Sequence, residues 1–179
     1  MKTVLFVLRL ALTLLAITAV VAVALAGVNM ITAPAIAELN AQNTQAAIEA
    51  VLPGGGEELA SFPAVNLVSK VYASDAGYAV QVTPGGFDNT ITMMVGVDKS
   101  GNVLGIDVIS HSETAGLGAV ADAETPAGIA FREQFKGVTG SVSVTKDGGQ
   151  MDAITGATLT SRAVCAGVNA ALECVAQMG

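Results

Sequence analysis

In the stretch Asp152-Ala-Ile-Thr-Gly-Ala-Thr158-Leu-Thr-Ser161, hydroxyl side chains and one glycine surround the start of a predicted helix. We expect the helix to run from Thr158 to about Gln177, because apolar residues after Ser161 recur at helical spacing. This apolar stripe consists of Val164, Val168, Ala171, Leu172 and Val175. A helix start exposes unpaired backbone N–H groups and the positive end of the helix dipole, which suits a phosphate group. The residues alone fit either an anion site or simple capping of the helix by Thr155 or Thr158.

Three motifs of the chain resemble those of the FMN-binding domain family. Asp152 to Thr158 is similar to the family's flavinylation motif, Asp-x-x-Thr-Gly-Ala-Thr, whose last threonine carries FMN through a phosphoester bond. His111-Ser-Glu-Thr-Ala-Gly-Leu-Gly-Ala119 resembles the family's His-x-Glu-Thr-Pro-Gly-Leu-Gly, with Ala115 in place of proline. Phe131-Arg-Glu-Gln-Phe-Lys-Gly137 is similar to its Gln-Phe-x-Gly segment. The motifs stand in family order, and with the hydrophobic N-terminus the resemblance covers nearly the whole chain.

The resemblance implies an FMN whose phosphate is esterified to Thr158, with Asp152 as part of the attachment motif. The other residues that it implies around the cofactor are Thr155, Gly156, Ala157, Thr160, His111, Glu113, Thr114, Gly116, Leu117 and Gly118. In the loop, Gly116 and Gly118 would let backbone atoms approach the ring system or the ribityl chain. From their residue types alone, His111 and Glu113 could equally form a polar turn after a strand, and the spacing indicates no catalytic or metal-ligating set.

Within this family the chain looks like the G subunits of the Rnf complexes, which are membrane ferredoxin:NAD oxidoreductases. The resemblance implies an electron-carrying flavoprotein that works with other Rnf subunits while Na+ or H+ crosses the membrane. This subunit would not be a complete enzyme alone, and a separate flavin transferase would attach its FMN from FAD. Two alternatives stay open. One is a part similar to the C subunit of Na+-translocating NADH:quinone oxidoreductase, for which the chain is short, and the other is an anchored ligand-binding module without redox function.

The N-terminus carries the densest hydrophobic sequence in a chain that is 52% hydrophobic. Leu10 to Ile31 contains no charged residue, and a membrane-spanning helix needs about 20 mostly apolar residues. We therefore expect a retained transmembrane anchor. A cleaved signal peptide is the alternative, because Ala24-Leu-Ala26 fits a small-residue cleavage pattern.

The distribution of basic residues predicts the orientation of this anchor. Lys2 and Arg9 precede the apolar run, whereas no Lys or Arg occurs from Leu10 through Ser69. Because basic residues stay on the cytoplasmic side, we expect a single-pass protein of the cell membrane with its N-terminus inside and its FMN domain outside. The formal net charge of -7 argues against a nucleic acid partner, which requires a basic surface.

Past the anchor, the sequence predicts one α+β domain with an antiparallel sheet and packed helices. A helix from Pro34 to Leu52, opened by Pro34, should end at the glycine-rich Pro53–Gly56. Alternating hydrophobic patterns and turn residues predict the strands Tyr78–Thr83, Thr90–Val97 and Val103–Ser110 and a further short strand at Ser141–Thr145. The second and third of these should form a hairpin. The expected divisions are an anchor at 1–33, a linker helix and hinge at 34–56, and the FMN-binding domain at 57–179.

Two residue pairs are expected to be structural. Phe131 and Phe135 have the spacing of a packing pair on a helix. Cys165 and Cys174 lie nine residues apart on the predicted last helix, about 13 Å along its axis. A disulfide needs Cα atoms within about 7 Å, so we expect two buried thiols without an intrachain bridge.

Overall fold

The computed structural model describes residues 2–178, and the side chains of residues 6–178. Its described residues form three α-helices and one five-stranded antiparallel sheet with strands in sequence order. The helices are α1 (Lys2–Val51), α2 (Pro126–Glu133) and α3 (Thr158–Met178). The strands are β1 (Glu57–Glu58), β2 (Val68–Ala73), β3 (Gly77–Val82), β4 (Thr92–Asp98) and β5 (Val103–Ser110). Short 3-10 helices occupy Gly118–Ala121 and Thr145–Asp147. The α+β fold with an antiparallel sheet is thus confirmed.

Helix α1 differs from the two helices that we expected to meet at Pro34, because it is continuous through that residue. A proline inside a helix removes one backbone hydrogen bond, here the bond to the carbonyl of Met30. Alanine, the best helix former, flanks Pro34 on both sides as Ala33 and Ala35, so the surrounding sequence favours continuation. By length and composition, the part from Phe6 onward could cross a membrane, a test that an N-terminal signal sequence would also pass.

The chain divides into two compact units, one ending at Gln42 and the other beginning at Asn43. This division lies between the two boundaries that we expected, after residues 33 and 56, and the functional domain ranges stay a prediction. The N-terminal residues of the second unit belong to its hydrophobic core. Ala47, Ile48, Val51 and Leu52 are buried there, because they pack on one face of the sheet.

The predicted hairpin is confirmed as β4 and β5, which pair in antiparallel fashion. Its turn is held by Asp98, whose Oδ1 accepts hydrogen bonds from the backbone N–H groups of Ser100 and Asn102 at 2.8 and 2.9 Å. Strands β1 and β2 do not follow from the sequence patterns. The predicted strand Ser141–Thr145 is wrong, since the segment makes only one isolated parallel bridge, between Val144 and Met151, within the described part of the chain.

Helices cover both faces of the sheet. Successive strand residues point to opposite faces, and Met93 and Met94 are accordingly both buried but in different hydrophobic clusters. Met93 lies in the cluster that includes α3, and Met94 lies in the cluster of the Ala47–Leu52 segment. The two methionines thus contribute to the core on opposite faces of the sheet.

The aromatic pair and the two cysteines also behave as expected. The rings of Phe131 and Phe135 pack edge to face with their centroids 5.5 Å apart, although Phe135 lies just beyond the end of α2. Cys165 and Cys174 are free, buried thiols on α3. Burial raises the pKa of Cys165 to about 11 and also raises the pKa of Cys174, so both stay protonated near neutral pH.

Candidate functional site

The turn before α3 is organised by the hydroxyl group of Ser161. This buried side chain accepts a hydrogen bond from the Ile154 N–H at 3.0 Å and donates one to the Ala157 carbonyl at 3.0 Å. Between them, Gly156 has a φ of +79°, and a Cβ there would lie 2.9 Å from Leu117 Cδ2. The motif therefore folds into a turn that requires its glycine, and Thr158 becomes the first residue of the helix.

The first turn of α3 presents free hydrogen-bond donors. The N–H groups of Thr158, Leu159 and Thr160 precede the first intrahelical bond, and they donate to no acceptor in the described part of the chain. Neither Thr155 nor Thr158 accepts a hydrogen bond from these groups within the same residues. Simple capping by these threonines therefore does not occur. An anion is the natural partner of such a helix start.

The hydroxyl group of Thr158 faces a cation. Lys146 Nζ donates a hydrogen bond to Thr158 Oγ1 at 3.1 Å, and Thr158 itself is half-buried. The neighbouring Asp147 is held by Arg162, whose Nε and Nη2 donate to its two carboxylate oxygens at 2.7 and 2.6 Å. These bonds lower the pKa of Asp147, so the pair stays ionised well below neutral pH. Lys146 and Arg162 stand in none of the sequence motifs, and only the i, i+4 spacing of Thr158 and Arg162 indicates the latter.

The loop after β5 is tied to α3 by a buried carboxylate. Glu113 Oε2 accepts a hydrogen bond from the Thr160 hydroxyl at 2.5 Å, and Oε1 accepts one from the Phe87 N–H at 2.8 Å. The Glu113 N–H in turn donates to His111 Nδ1 at 3.1 Å, and the other imidazole nitrogen lies 3.7 Å from Asp122 Oδ2. His111 and Glu113 thus shape the loop through contacts within the protein.

The two loop glycines have different surroundings. A Cβ at Gly118 would overlap Glu113 Oε2 and lie 2.6 Å from Thr160 Oγ1, so the space beside Gly118 is filled by the protein's own polar groups. Gly116 is exposed with a φ of +75° and has open space beside it. A ligand can therefore approach the backbone more closely at Gly116 than at Gly118.

Two cavities border the predicted site. The smaller encloses about 160 Å³ and is lined by Phe87, Glu113, Thr114, Leu117, Gly118, Gly156, Ala157, Leu159 and Thr160. The larger encloses about 540 Å³ and is lined by Gly116, Val120, Ala127, Ala130, Phe131, Gln134, Asp152, Ala153, Ile154 and Thr155. Of the residues predicted from the sequence, only His111 and Thr158 are absent from these linings. Phe87 and Leu159, which were not predicted, add exposed apolar surface.

The third motif supports the attachment segment through Gln134. Its side-chain Oε1 accepts a hydrogen bond from the Asp152 N–H at 2.7 Å, and its Nε2 donates to the Asp152 carbonyl at 3.3 Å. The carboxylate of Asp152 is exposed, whereas its backbone is fixed. Gln134 therefore aligns the start of the motif without belonging to it.

These features fit the parts of an FMN molecule. The free N–H groups of α3 and the ammonium group of Lys146 suit a phosphate, and the apolar side chains of Phe87, Leu117 and Leu159 suit an aromatic ring system. The larger cavity also lies within the range of about 300–1,000 Å³ that is usual for small-molecule sites.

Comparison with known proteins agrees with this fit. Residues 86–173 match the FMN-binding domain family. The chain is 32% identical over 93% of its length to the G subunit of the Na(+)-translocating ferredoxin:NAD(+) oxidoreductase complex of Acetobacterium woodii, of which it covers 90%. It is 41% identical to the G subunit of the ion-translocating oxidoreductase complex of Vibrio vulnificus, over 52% of the chain and 46% of that relative. The corresponding Yersinia pestis protein is 46% identical over 52% of the chain and 47% of its own length.

Proposed function

This chain belongs to the family of G subunits of ion-translocating oxidoreductase complexes, and we propose that it carries electrons there on an FMN bound covalently to Thr158. The flavin supplies the redox chemistry, while the protein holds it in position and tunes its potential. The observation that carries the proposal is the position of the Thr158 hydroxyl at the start of α3, with a lysine ammonium group 3.1 Å away.

Attachment at Thr158 is a phosphoryl transfer. The threonine oxygen forms a bond to the phosphorus in the FMN half of FAD, and the bond from this phosphorus to the AMP half breaks. AMP leaves with the electron pair, and the proton of the hydroxyl group is released. A separate flavin transferase catalyses this step, and the chain presents the hydroxyl group on a fixed turn in front of free N–H donors.

A tether of this kind suits a protein whose task is electron transfer. The phosphoester bond prevents loss of the flavin by dissociation, and it leaves the ring system unmodified so that its edge can approach another redox centre. Phe87, Leu117 and Leu159 are exposed apolar residues around the smaller cavity, and they would shield one side of the ring from water. Glu113 and Thr160 connect the loop after β5 to α3 and take no part in the redox chemistry.

The other subunits of the complex are the partners of this chain. The relative from Acetobacterium woodii is named for ferredoxin, NAD+ and Na+. We assign the same electron donor and acceptor to the complex that contains this chain, with Na+ or H+ as the transported ion. The isolated subunit oxidises neither substrate. Helix α1 anchors it in the membrane, with the N-terminus in the cytoplasm and the FMN domain outside.

Replacement of Thr158 tests the attachment directly. Thr158→Val keeps β-branching but deletes the oxygen that the phosphoester requires, so the full-length chain should fold and lose all covalent flavin. Thr139→Val is the matched control, because Thr139 is an exposed threonine outside the three motifs and should retain full loading. The measurements are flavin fluorescence that remains with the denatured polypeptide and mass spectrometry of the tryptic peptide Asp147–Arg162. An FMN adduct on Thr158→Val, or one mapped to Thr155 or Thr160, would contradict the proposal.

A further inference from the structure

Lys146 is an exposed cation whose only polar side-chain contact in the described part of the chain is the Thr158 hydroxyl. We propose that Lys146 holds the Thr158 oxygen in position before flavin attachment and binds the flavin phosphate afterwards. This inference rests on the proposed attachment at Thr158 and adds a residue outside the three sequence motifs.

The nearest carboxylate in sequence does not neutralise Lys146. Asp147 follows it directly, but both oxygens of Asp147 accept hydrogen bonds from Arg162. No other acidic side chain forms an ion pair with Lys146 among the residues that the structure describes. The same pairing engages Arg162, which lies one helical turn after Thr158. Lys146 is therefore the cation beside Thr158 whose charge remains available.

The backbone around Lys146 is fixed from two sides. The Thr145 N–H donates to the Met151 carbonyl at 2.8 Å, which closes the loop that contains the short 3-10 helix. On the other side, the Asp147–Arg162 pair ties this helix to α3. Because Thr158 begins α3, the two ends of the Lys146–Thr158 contact are held in one local structure.

The charge change on attachment favours this pairing. Before attachment, the ammonium group donates to a neutral hydroxyl oxygen, which leaves the threonine O–H free to release its proton. Afterwards the oxygen belongs to a phosphodiester with one negative charge, so the ammonium group gains a Coulomb attraction that the neutral hydroxyl group does not provide. The free N–H groups of the first turn of α3 add donors on the same side. Lys146 therefore stabilises the loaded state more than the unloaded state.

The rate of flavin loading tests the first half of the proposal. Purified full-length chain is incubated with flavin transferase, Mg2+ and FAD, and covalent flavin is followed by the mass of the intact protein. Lys146→Met, which keeps the length but not the charge, should load about tenfold more slowly, which corresponds to about 1.4 kcal/mol. Lys146→Arg should restore most of the rate. Lys136→Met is the matched control, because Lys136 is an exposed lysine that pairs with Glu133, and it should load like the original chain.

The melting temperature tests the second half without reference to activity. Loading should raise the melting temperature of the original chain more than that of Lys146→Met, while the two unloaded proteins should melt alike. Equal rates in Lys146→Met and the original chain would overturn the inference, and so would an equally slow Lys146→Arg. A slower rate with an unchanged melting difference would assign Lys146 to recognition by the transferase and also overturn it. None of these results affects attachment at Thr158, which fails if Thr158→Val still carries covalent flavin or if the adduct maps to Thr155 or Thr160.

Discussion

Glu113 joins three segments that are distant in the sequence. Its carboxylate accepts hydrogen bonds from Phe87 in the turn after β3 and from Thr160 in the first turn of α3. Only 8% of the residue is exposed, and buried polar groups that lose a partner are costly. The exposed threonines of the site can therefore be exchanged with less risk than Glu113 or Thr160.

We expect Glu113→Gln to lower the free energy of unfolding by about 1–3 kcal/mol, because the new NH2 group must face one of two hydrogen-bond donors. Urea denaturation of the full-length chain in detergent measures this. Glu124→Gln is the control, since Glu124 is an exposed residue whose ion pair with Arg132 should contribute at most about 1 kcal/mol. In the double mutant with Thr160→Val, the two losses should not add, because both remove the same contact. Additive losses, or equal losses at Glu113 and Glu124, would argue against the network.

The sequence identified the residues of the site whose identities form motifs, but not those defined by packing. Gly156 and Gly116 could be predicted, because each stands within a motif and has a positive φ that favours glycine. Lys146 stands in no motif and acts through a contact with Thr158 across 12 residues of chain. Gln134 stands in the third motif, but its contact with Asp152 spans 18 residues. Such contacts depend on how loops close, and no local periodicity reports them.

At the scale of elements, the end of α1 rests directly on β4. A Cβ at Gly96 would overlap the Val51 carbonyl oxygen, so the helix end can approach the sheet only because this residue is glycine. Gly105 is its partner on β5 in the same ladder. There a Cβ would meet only Lys136 Cε at 3.7 Å, which is an ordinary contact.

The pair of glycines provides a test of this packing. Gly96→Ala should displace the helix end and lower the free energy of unfolding by about 1–3 kcal/mol, as overpacked cores do. Gly105→Ala changes the same residue type in the same pair of strands and should have little effect. Thermal or urea denaturation followed by circular dichroism would compare them. If the two variants were equally stable, the close approach of Val51 to β4 would be wrong.

The elements that the sequence predicted are those with a local pattern. The β4–β5 hairpin follows from alternation and from the turn chemistry of Asp98, and α3 follows from its apolar stripe. Strand β2 has two exposed residues before its buried pair, so its pattern does not alternate. Pro34 was expected to open a helix, but the helix-forming residues around it continue α1.

At the scale of the whole molecule, the proposed orientation can be tested with protease. Lys2 and Arg9 precede the apolar run, so residues from about Thr32 onward should lie outside the cytoplasm. Protease added to intact cells stripped of outer layers should digest the peptide that contains Thr158. A cytoplasmic protein in the same cells should survive and serve as the control. Digestion of the Thr158 peptide only after lysis would reverse the assigned orientation.

The hydrogen bonds around Thr158 also bear on the biogenesis of the protein. Lys146 lies 12 residues from Thr158, Glu113 lies 47 residues from Thr160, and Phe87 lies 26 residues from Glu113. A nascent or misfolded chain contains the same motif but not this arrangement, so it would be a poor acceptor for the transferase. If attachment requires this arrangement, only folded subunits would receive the flavin, and flavin loading would act as quality control before the subunit joins its complex.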